Sequence, residues 1–312
     1  MMRRIVVPDG LSPAGFSVTD ALGLGMTWGQ LRSKQWQRPF RGVRALGDTA
    51  TLLDKCHSYA PRMREFEAFS GLTAAAIWGL PLPSRWAAAK HTPEIVVPKS
   101  RARDRTDGLK PRRILDARFE RVEHLGLPVV PPLLALLTSC RNLTALEATA
   151  MADALLTDSD NYPGITASAR PMATRDEIRA ALRQLKRTPG VTVFREVIER
   201  MREHVESPME TELRCRLVDA GLPEFEVQPE IQTAGGKLLR PDLGHRASAT
   251  YLDYDGADHW VSEAKHREDL TRSRLITATG ARHIRLTKDD LEPGPFATLV
   301  AELRRRIPQE TS

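Results

Sequence analysis

A chain of 312 residues that is 41% hydrophobic and 28% charged has apolar material for two or three domains, and its composition excludes fibrous, collagen-like and disordered classes. Its net charge of +6 is unevenly spread: Val205 onward holds 15 Lys and Arg against 19 Asp and Glu, leaving 31 against 21 before it. Such asymmetry suggests that the first two thirds attract a polyanion and that the acidic last third carries metal-dependent chemistry.

Met1-Met2-Arg3-Arg4 is basic, but only Ile5-Val6-Val7 follows before Pro8, too short for a signal-peptide core. No apolar run approaches membrane-spanning length. Cys56, Cys140 and Cys215 lack the spacing of a zinc site or a disulfide framework, which suits a reduced cytoplasm. A cytoplasmic protein without a membrane partner is therefore expected. Phe16 to Leu24 reads as a short helix with a Ser or Thr cap, and Thr27 caps a second helix, Trp28 to Lys34, with Leu31 inward. Two short helices around a Gly-containing turn form a helix-turn-helix pattern, followed by a basic β-wing from Trp36 to Leu46. This string, with Phe40-Arg41-Gly42-Val43 at its centre, resembles the winged-helix domain of AbiEi-type antitoxins. The resemblance implies duplex DNA contact through Gln30, Arg32, Lys34, Arg38 and Arg41. The same pattern also serves as a protein-docking domain, and the residues alone leave both open.

Residues 61–204 are expected to be α+β and mainly helical. Glu65 to Leu80 carries Phe66, Phe69, Leu72, Ala76 and Ile77 at helical spacing, a core stripe, and Glu94 to Pro98 reads as a strand. The densest basic stretch, Lys99 to Arg113, reads as a loop whose Arg101, Arg103 and Arg105 are phosphate-contact candidates or simply solvated. Val122 to Val130 suggests a strand pair. Helices follow over Pro131 to Leu137, Leu143 to Leu156, Arg175 to Leu185 and Val191 to Arg202. Asp158 to Gly164 is a turn without the closing glutamate of a calcium loop.

In residues 205–312, Ser207-Pro208 caps a helix with Met209, Leu213 and Leu217 inward and Glu210 on its flank. Phe225, Val227 and Ile231 alternate with polar residues in a half-buried strand, and Leu238 to Leu243 returns as its hairpin partner. Tyr251 to Asp255 forms a third strand, in which Asp253 and Asp255 share one face while Leu252 and Tyr254 share the other. A helix from about Ser262 to Thr279 and a last strand, Arg282 to Thr287, complete an αβββαβ order. Asp242, Asp253, Asp255 and His259 would cluster, and clustered carboxylates call for a hard divalent cation such as Mg²⁺.

Pro241-Asp242, a spacer, Asp253-x-Asp255-Gly256 and then His259 resembles the PD-(D/E)XK nuclease superfamily, in particular the branch of very-short-patch-repair (Vsr-like) endonucleases. Glu206-Ser207-Pro208-Met209-Glu210, Asp269, Arg272, Gly280 and Ile284-Arg285-Leu286-Thr287 match that branch as well. The resemblance covers the last third of the chain. It implies Mg²⁺, with Mn²⁺ as a substitute, held by Asp242 and Asp253 with Glu210, and His259 serving the attacking water where the superfamily usually has a Lys two residues beyond the second acid. That Lys position is Asp255 here, which is read as a ligand, an orienter of His259 or a turn former. Glu210 is equally a first-turn residue favoured by the helix dipole. Arg272 and Arg285 are phosphate candidates, although Arg272 can also pair with Asp269. Uncharacterised actinobacterial proteins combine these parts in the same order. The fold class expected is thus an α+β and α/β multidomain chain: winged helix (1–60), mainly helical middle (61–204) and restriction-endonuclease-like core (205–312).

Two functions fit the sequence. One is a Mg²⁺-dependent DNA endonuclease, nicking or cutting, delivered by the winged helix. The other is a DNA-binding regulator or antitoxin-type protein whose nuclease fold is catalytically inactive, with a toxin or phage-defence partner protein.

Overall fold

A computed structural model describes residues 5–47, 49–87, 91–102, 106–160, 162–185, 189–233, 235–256 and 263–307, apart from the side chains of 87, 184 and 263–269. It is a mixed α/β chain with several sheets and, among the described residues, twelve α-helices. The chain divides into two compact units: Met1–Leu143 with Gly164–Ser168 and Leu182–Phe194, and Thr144–Pro163 with Ala169–Ala181 and Arg195–Ser312. Residues 1–60 lie in the first unit and 205–312 in the second, while 61–204 are shared between them. No helix among the described residues is long and apolar enough to cross a membrane.

The first unit opens with β1 (Phe16–Ser17), α1 (Val18–Gly23), α2 (Trp28–Leu31) and β2 (Val43–Arg44). Both expected caps are present: the Ser17 hydroxyl accepts the Asp20 N–H, and Thr27 and Gln30 form a capping box. The helix expected from Phe16 begins two residues later. Phe16–Ser17 instead pairs antiparallel with β2, and the Phe16 ring packs edge-on against buried Trp36 at 5.3 Å. An antiparallel bridge between Gln37 and Ala45 closes the segment expected as a wing. Gln30, Arg32, Lys34, Arg38 and Arg41 are all exposed.

Next come α3 (Leu52–Tyr59), β3 (Ala68–Phe69), α4 (Gly71–Trp78), α5 (Ser84–Ala87), β4 (Glu94–Pro98), β5 (Lys110–Ile114), β6 (Val122–His124), β7 (Leu127–Val129) and α6 (Pro132–Ser139). The five strands form one sheet in the order β5-β4-β3-β7-β6. The helix expected over 65–80 is corrected: Ala68–Phe69 is the central strand, and only Gly71–Trp78 is helical. A fully buried two-residue strand leaves no alternation to separate it from a helix. The basic stretch is also corrected in part. Lys110–Ile114 is an edge strand parallel to β4, with Arg112 facing the buried Glu94 at 3.5 Å. Arg101 lies over the Phe66 ring at 5.3 Å, and Arg103 and Arg105 lie outside the described residues.

The second unit begins with α7 (Ala145–Leu156). The helices α8 (Arg175–Gln184) and α9 (Val191–Arg200) follow, and each spans the division between the units. Then come α10 (Pro208–Asp219), β8 (Glu226–Val227), β9 (Ile231–Gln232), β10 (Leu238–Leu239), β11 (Leu243–His245), β12 (Thr250–Tyr254), α11 (Glu263–Ala278), β13 (Arg282–Leu286) and α12 (Pro293–Arg306). A four-stranded sheet runs β13-β12-β11-β8, with β12 and β13 parallel. The strand expected from Phe225 to Gln232 is broken at Gln228-Pro229, where Gln228 takes a φ of 47°, so β9 and β10 form a separate two-stranded ribbon.

Apolar residues cover both faces of this sheet. Leu213 and Leu217 of α10 and Leu299, Val300 and Leu303 of α12 meet Leu243, Leu252 and Leu286 on one face. Ile276 of α11 packs with Tyr251, Ile231 and Leu239 on the other. Gly244 fits that second face because a Cβ there would stand 2.6 Å from Pro229 Cγ and from the Tyr251 ring. Behind α10, the Asp153 carboxylate of α7 accepts hydrogen bonds from Arg214 Nη2 (3.0 Å), the Thr211 hydroxyl (2.9 Å) and the Arg202 N–H (2.7 Å). Arg214 also donates to Glu224 and to the Arg200 carbonyl, and Asp153 and Arg214 are both fully buried. All three cysteines are free and buried.

Candidate active site: an acidic cluster on the second unit's sheet

Backbone register assembles the acids. Leu243 stands opposite Leu252 in the antiparallel β11–β12 pair, so Asp242, one residue earlier, comes opposite Asp253 on the other face. Leu252 is fully buried in the α10–α12 core and Tyr254 packs against that core, as the alternation predicts. The two acids interlock. The Asp242 N–H donates to Asp253 Oδ1 at 3.0 Å, and Asp242 Oδ2 accepts the Tyr254 N–H at 2.6 Å.

Asp253 has further partners. Arg272 Nη2 lies 3.3 Å from Oδ1 and also donates to the Arg240 carbonyl, while His283 Nε2 lies 2.9 Å from Oδ2. The other ring nitrogen of His283 is 3.0 Å from Ser273 Oγ. Asp255 sits just past β12, where its N–H donates to the Leu286 carbonyl and its Oδ2 accepts from Arg285 Nε at 2.8 Å. Arg272 and Arg285, expected to meet phosphate, are thus ion-paired with Asp253 and Asp255. Both pairs are partly exposed. His259 and the Asp269 side chain lie outside the described residues.

Glu210 is placed by the cap of α10. Its N–H donates to the Ser207 hydroxyl at 3.2 Å, and its own Oε2 reaches back to the Glu206 N–H at 3.0 Å. Glu210 thus closes the first turn, and it is buried close enough to Asp242 for the two carboxyls to interact.

Electrostatics separates the three acids. Burial pushes Glu210 up to about 7, with the Glu206 and Asp253 charges adding to the shift. Burial pushes Asp242 up to about 8, helped by the Glu210 and Asp253 charges. Burial also works against a charge on Asp253, but the His283 hydrogen bond, the Arg272 and His283 charges and the Asp242 N–H outweigh it. Asp253 is held below the ordinary carboxylate value. Burial and neighbouring negative charge thus hold two of the carboxyls up, while cationic and hydrogen-bonding partners hold the third down.

Among the described residues, no three His, Cys, Asp or Glu side chains form a metal-holding group. The donor chemistry nonetheless fits a hard cation. Among the described residues, Glu210 Oε1 and Asp242 Oδ1 accept no hydrogen bond, and Asp253 accepts three of the roughly four a carboxylate can take. All ligands on offer are oxygens, which suits Mg²⁺ or Mn²⁺.

Sequence reasoning missed His283. The signal is present: His283-x-Arg285 alternates along β13 as Asp253-x-Asp255 does along and just past β12, and parallel pairing puts Arg285 in register with Asp253. Only the pairing partner was needed to join them.

Two uncharacterized proteins from two strains of Mycobacterium tuberculosis are similar to this chain, each 28% identical over 199 residues and aligned over 63% of this chain and 68% of the relative. No family model and no solved structure matches the chain.

Proposed function

We propose that the second unit is a Mg²⁺-dependent DNA endonuclease domain of the PD-(D/E)XK type, Vsr-like, and that the exposed basic residues of the first unit bind duplex DNA. The observation that carries this reading is the convergence of Glu210, Asp242 and Asp253 from a helix cap and two paired strands, where burial, with neighbouring carboxylate charge behind it, pushes Glu210 and Asp242 up. Glu210, Asp242 and Asp253 would hold the cation, which when bound supplies Lewis-acid activation of the phosphodiester and of water. Asp253, kept ionised by His283 and Arg272, anchors the Asp242 backbone, and the Asp242 carboxylate in turn caps the Tyr254 N–H. His259 is assigned to the attacking water on the motif alone. Arg272 and Arg285 are partly exposed in their pairs with Asp253 and Asp255, and each can exchange its carboxylate for a phosphate. The deciding experiment is incubation of the purified full chain with supercoiled plasmid in Mg²⁺ or in chelator.

A second reading is a DNA-binding regulator or antitoxin-type protein with an inactive nuclease fold. The engagement of Asp253 by Arg272 and His283, and of Asp255 by Arg285, favours it. Plasmid that stays supercoiled in Mg²⁺ while salt-sensitive DNA binding persists would select it.

The acid cluster sets a pH dependence of known sign. Glu210 and Asp242 hold protons in the folded state to higher pH than in the unfolded chain. Between about pH 4 and 8 the native protein therefore binds more protons, and their contribution, full below the unfolded values, is lost as pH rises through about 7 and 8. The metal-free protein should lose thermal stability on going from about pH 6 to about pH 9, and Mg²⁺ should raise Tm more at the alkaline end. Scanning calorimetry with and without Mg²⁺ checks this; a Tm that does not fall over that window and ignores Mg²⁺ contradicts it.

A further inference from the structure

His283 has no role in the reading above beyond its charge, yet its surroundings are specific. Its side chain is 1% exposed, it lies on β13 beside Tyr251 of β12, and both ring nitrogens have partners: Asp253 Oδ2 at 2.9 Å and Ser273 Oγ at 3.0 Å. An imidazole buried so completely costs free energy unless both nitrogens are satisfied, and an aliphatic residue would fill the same place beside Ile276 and Tyr251 without needing partners. The carboxylate at Nε2 requires a proton there, because the other tautomer would set two lone pairs against each other. Nδ1 is held in turn by the Ser273 hydroxyl, so Ser273 and Asp253 together fix the orientation of the ring. Arg272 on Oδ1 and His283 on Oδ2 clamp the Asp253 carboxylate from both sides.

We propose that His283, oriented by Ser273, is a positioning residue that sets the Asp253 carboxylate for divalent-cation binding. This rests on reading the acidic cluster as a cation site. His283 itself touches neither cation nor DNA; it acts through Asp253, in the way that hydrogen-bonded outer partners orient metal ligands.

The test uses the full chain and Mn²⁺ as the probe. Calorimetric titration should show His283→Ala binding Mn²⁺ about 10- to 100-fold more weakly than wild type, the usual effect of removing such a partner. His283→Gln, whose amide N–H can reach Asp253, should recover most of the loss, and Ser273→Ala should show a smaller one. Long-range ¹⁵N spectra of the wild type should show His283 carrying a proton on Nε2, the nitrogen facing Asp253. Circular dichroism and Tm establish that each variant is folded; if His283→Ala does not fold, Ser273→Ala and the wild-type Nε2 proton decide. Folded His283→Ala with wild-type Mn²⁺ affinity overturns the inference alone, as does a ring without a proton on Nε2 joined to an unaltered Ser273→Ala. A wild type that neither binds Mn²⁺ nor relaxes plasmid overturns the cation-site reading and this inference with it.

Discussion

Asp242→Asn should abolish Mg²⁺-dependent plasmid cleavage while leaving the protein folded and DNA binding intact or tighter. An amide oxygen can still accept the Tyr254 N–H, so the β11–β12 junction survives, but the anionic cation ligand is gone. Losing several kcal/mol of metal-based stabilisation corresponds to about a thousandfold or more in rate. Because Asp242 is driven up by burial and by Glu210 and Asp253, a neutral residue there also removes a repulsion, and Tm above about pH 8 should rise. Asp253→Asn should lose cleavage as well, with the opposite effect on stability, since it strips the partner from Arg272 and from buried His283. Paired measurements of plasmid relaxation and Tm would show the contrast. Asp242→Asn cutting at the wild-type rate would mean that this cluster is not the catalytic site.

Arg214→Met should be the most destabilising single change in the second unit. It leaves the Asp153 carboxylate buried without its counter-ion, and burial already pushes that carboxyl up against the Arg214 charge and the Arg202 and Thr211 hydrogen bonds. Breaking a buried pair from one side typically costs about 3–5 kcal/mol. The double replacement Asp153→Ala with Arg214→Met should cost much less than the two single changes summed, since no charge is then stranded. Urea denaturation of all four proteins measures the coupling. A loss below about 1 kcal/mol for Arg214→Met would show that water reaches the pair. Thr211, which bonds Asp153, adjoins Glu210 in the chain, so partial loosening should also weaken Mn²⁺ binding.

Much of this architecture is legible in the residues because its signals are local. Ser17, Thr27 and Ser207 cap helices as their types predict, β4 falls at Glu94–Pro98, and Leu252 and Tyr254 turn to the core while Asp253 turns away. What escaped depends on pairing between distant segments. Ala68–Phe69 is a strand because β4 and β7 flank it, and nothing within the segment says so. His283 meets Asp253 across 30 positions, through a parallel register that the crossing helix α11 conceals from any window of sequence. Arg112 is a partner of buried Glu94 rather than a solvated charge for the same reason. At Gln228-Pro229 the signal is local: the alternation of Phe225, Val227 and Ile231 predicts one strand, and Pro229 marks the break in it.

The three buried thiols turn the two units into separately readable clocks. Burial pushes Cys140 up to about 12 and Cys215 up to about 11, and it raises Cys56 further still. In the native state almost none of the three is the reactive thiolate, so a thiol reagent at neutral pH must wait for each cysteine's surroundings to open. Cys56 and Cys140 belong to the first unit and Cys215 to α10 of the second, directly beside Arg214. Labelling rates resolved by peptide mass would therefore time the opening of each unit in one sample. Divalent cation should slow the Cys215 clock while leaving the other two running at their own pace.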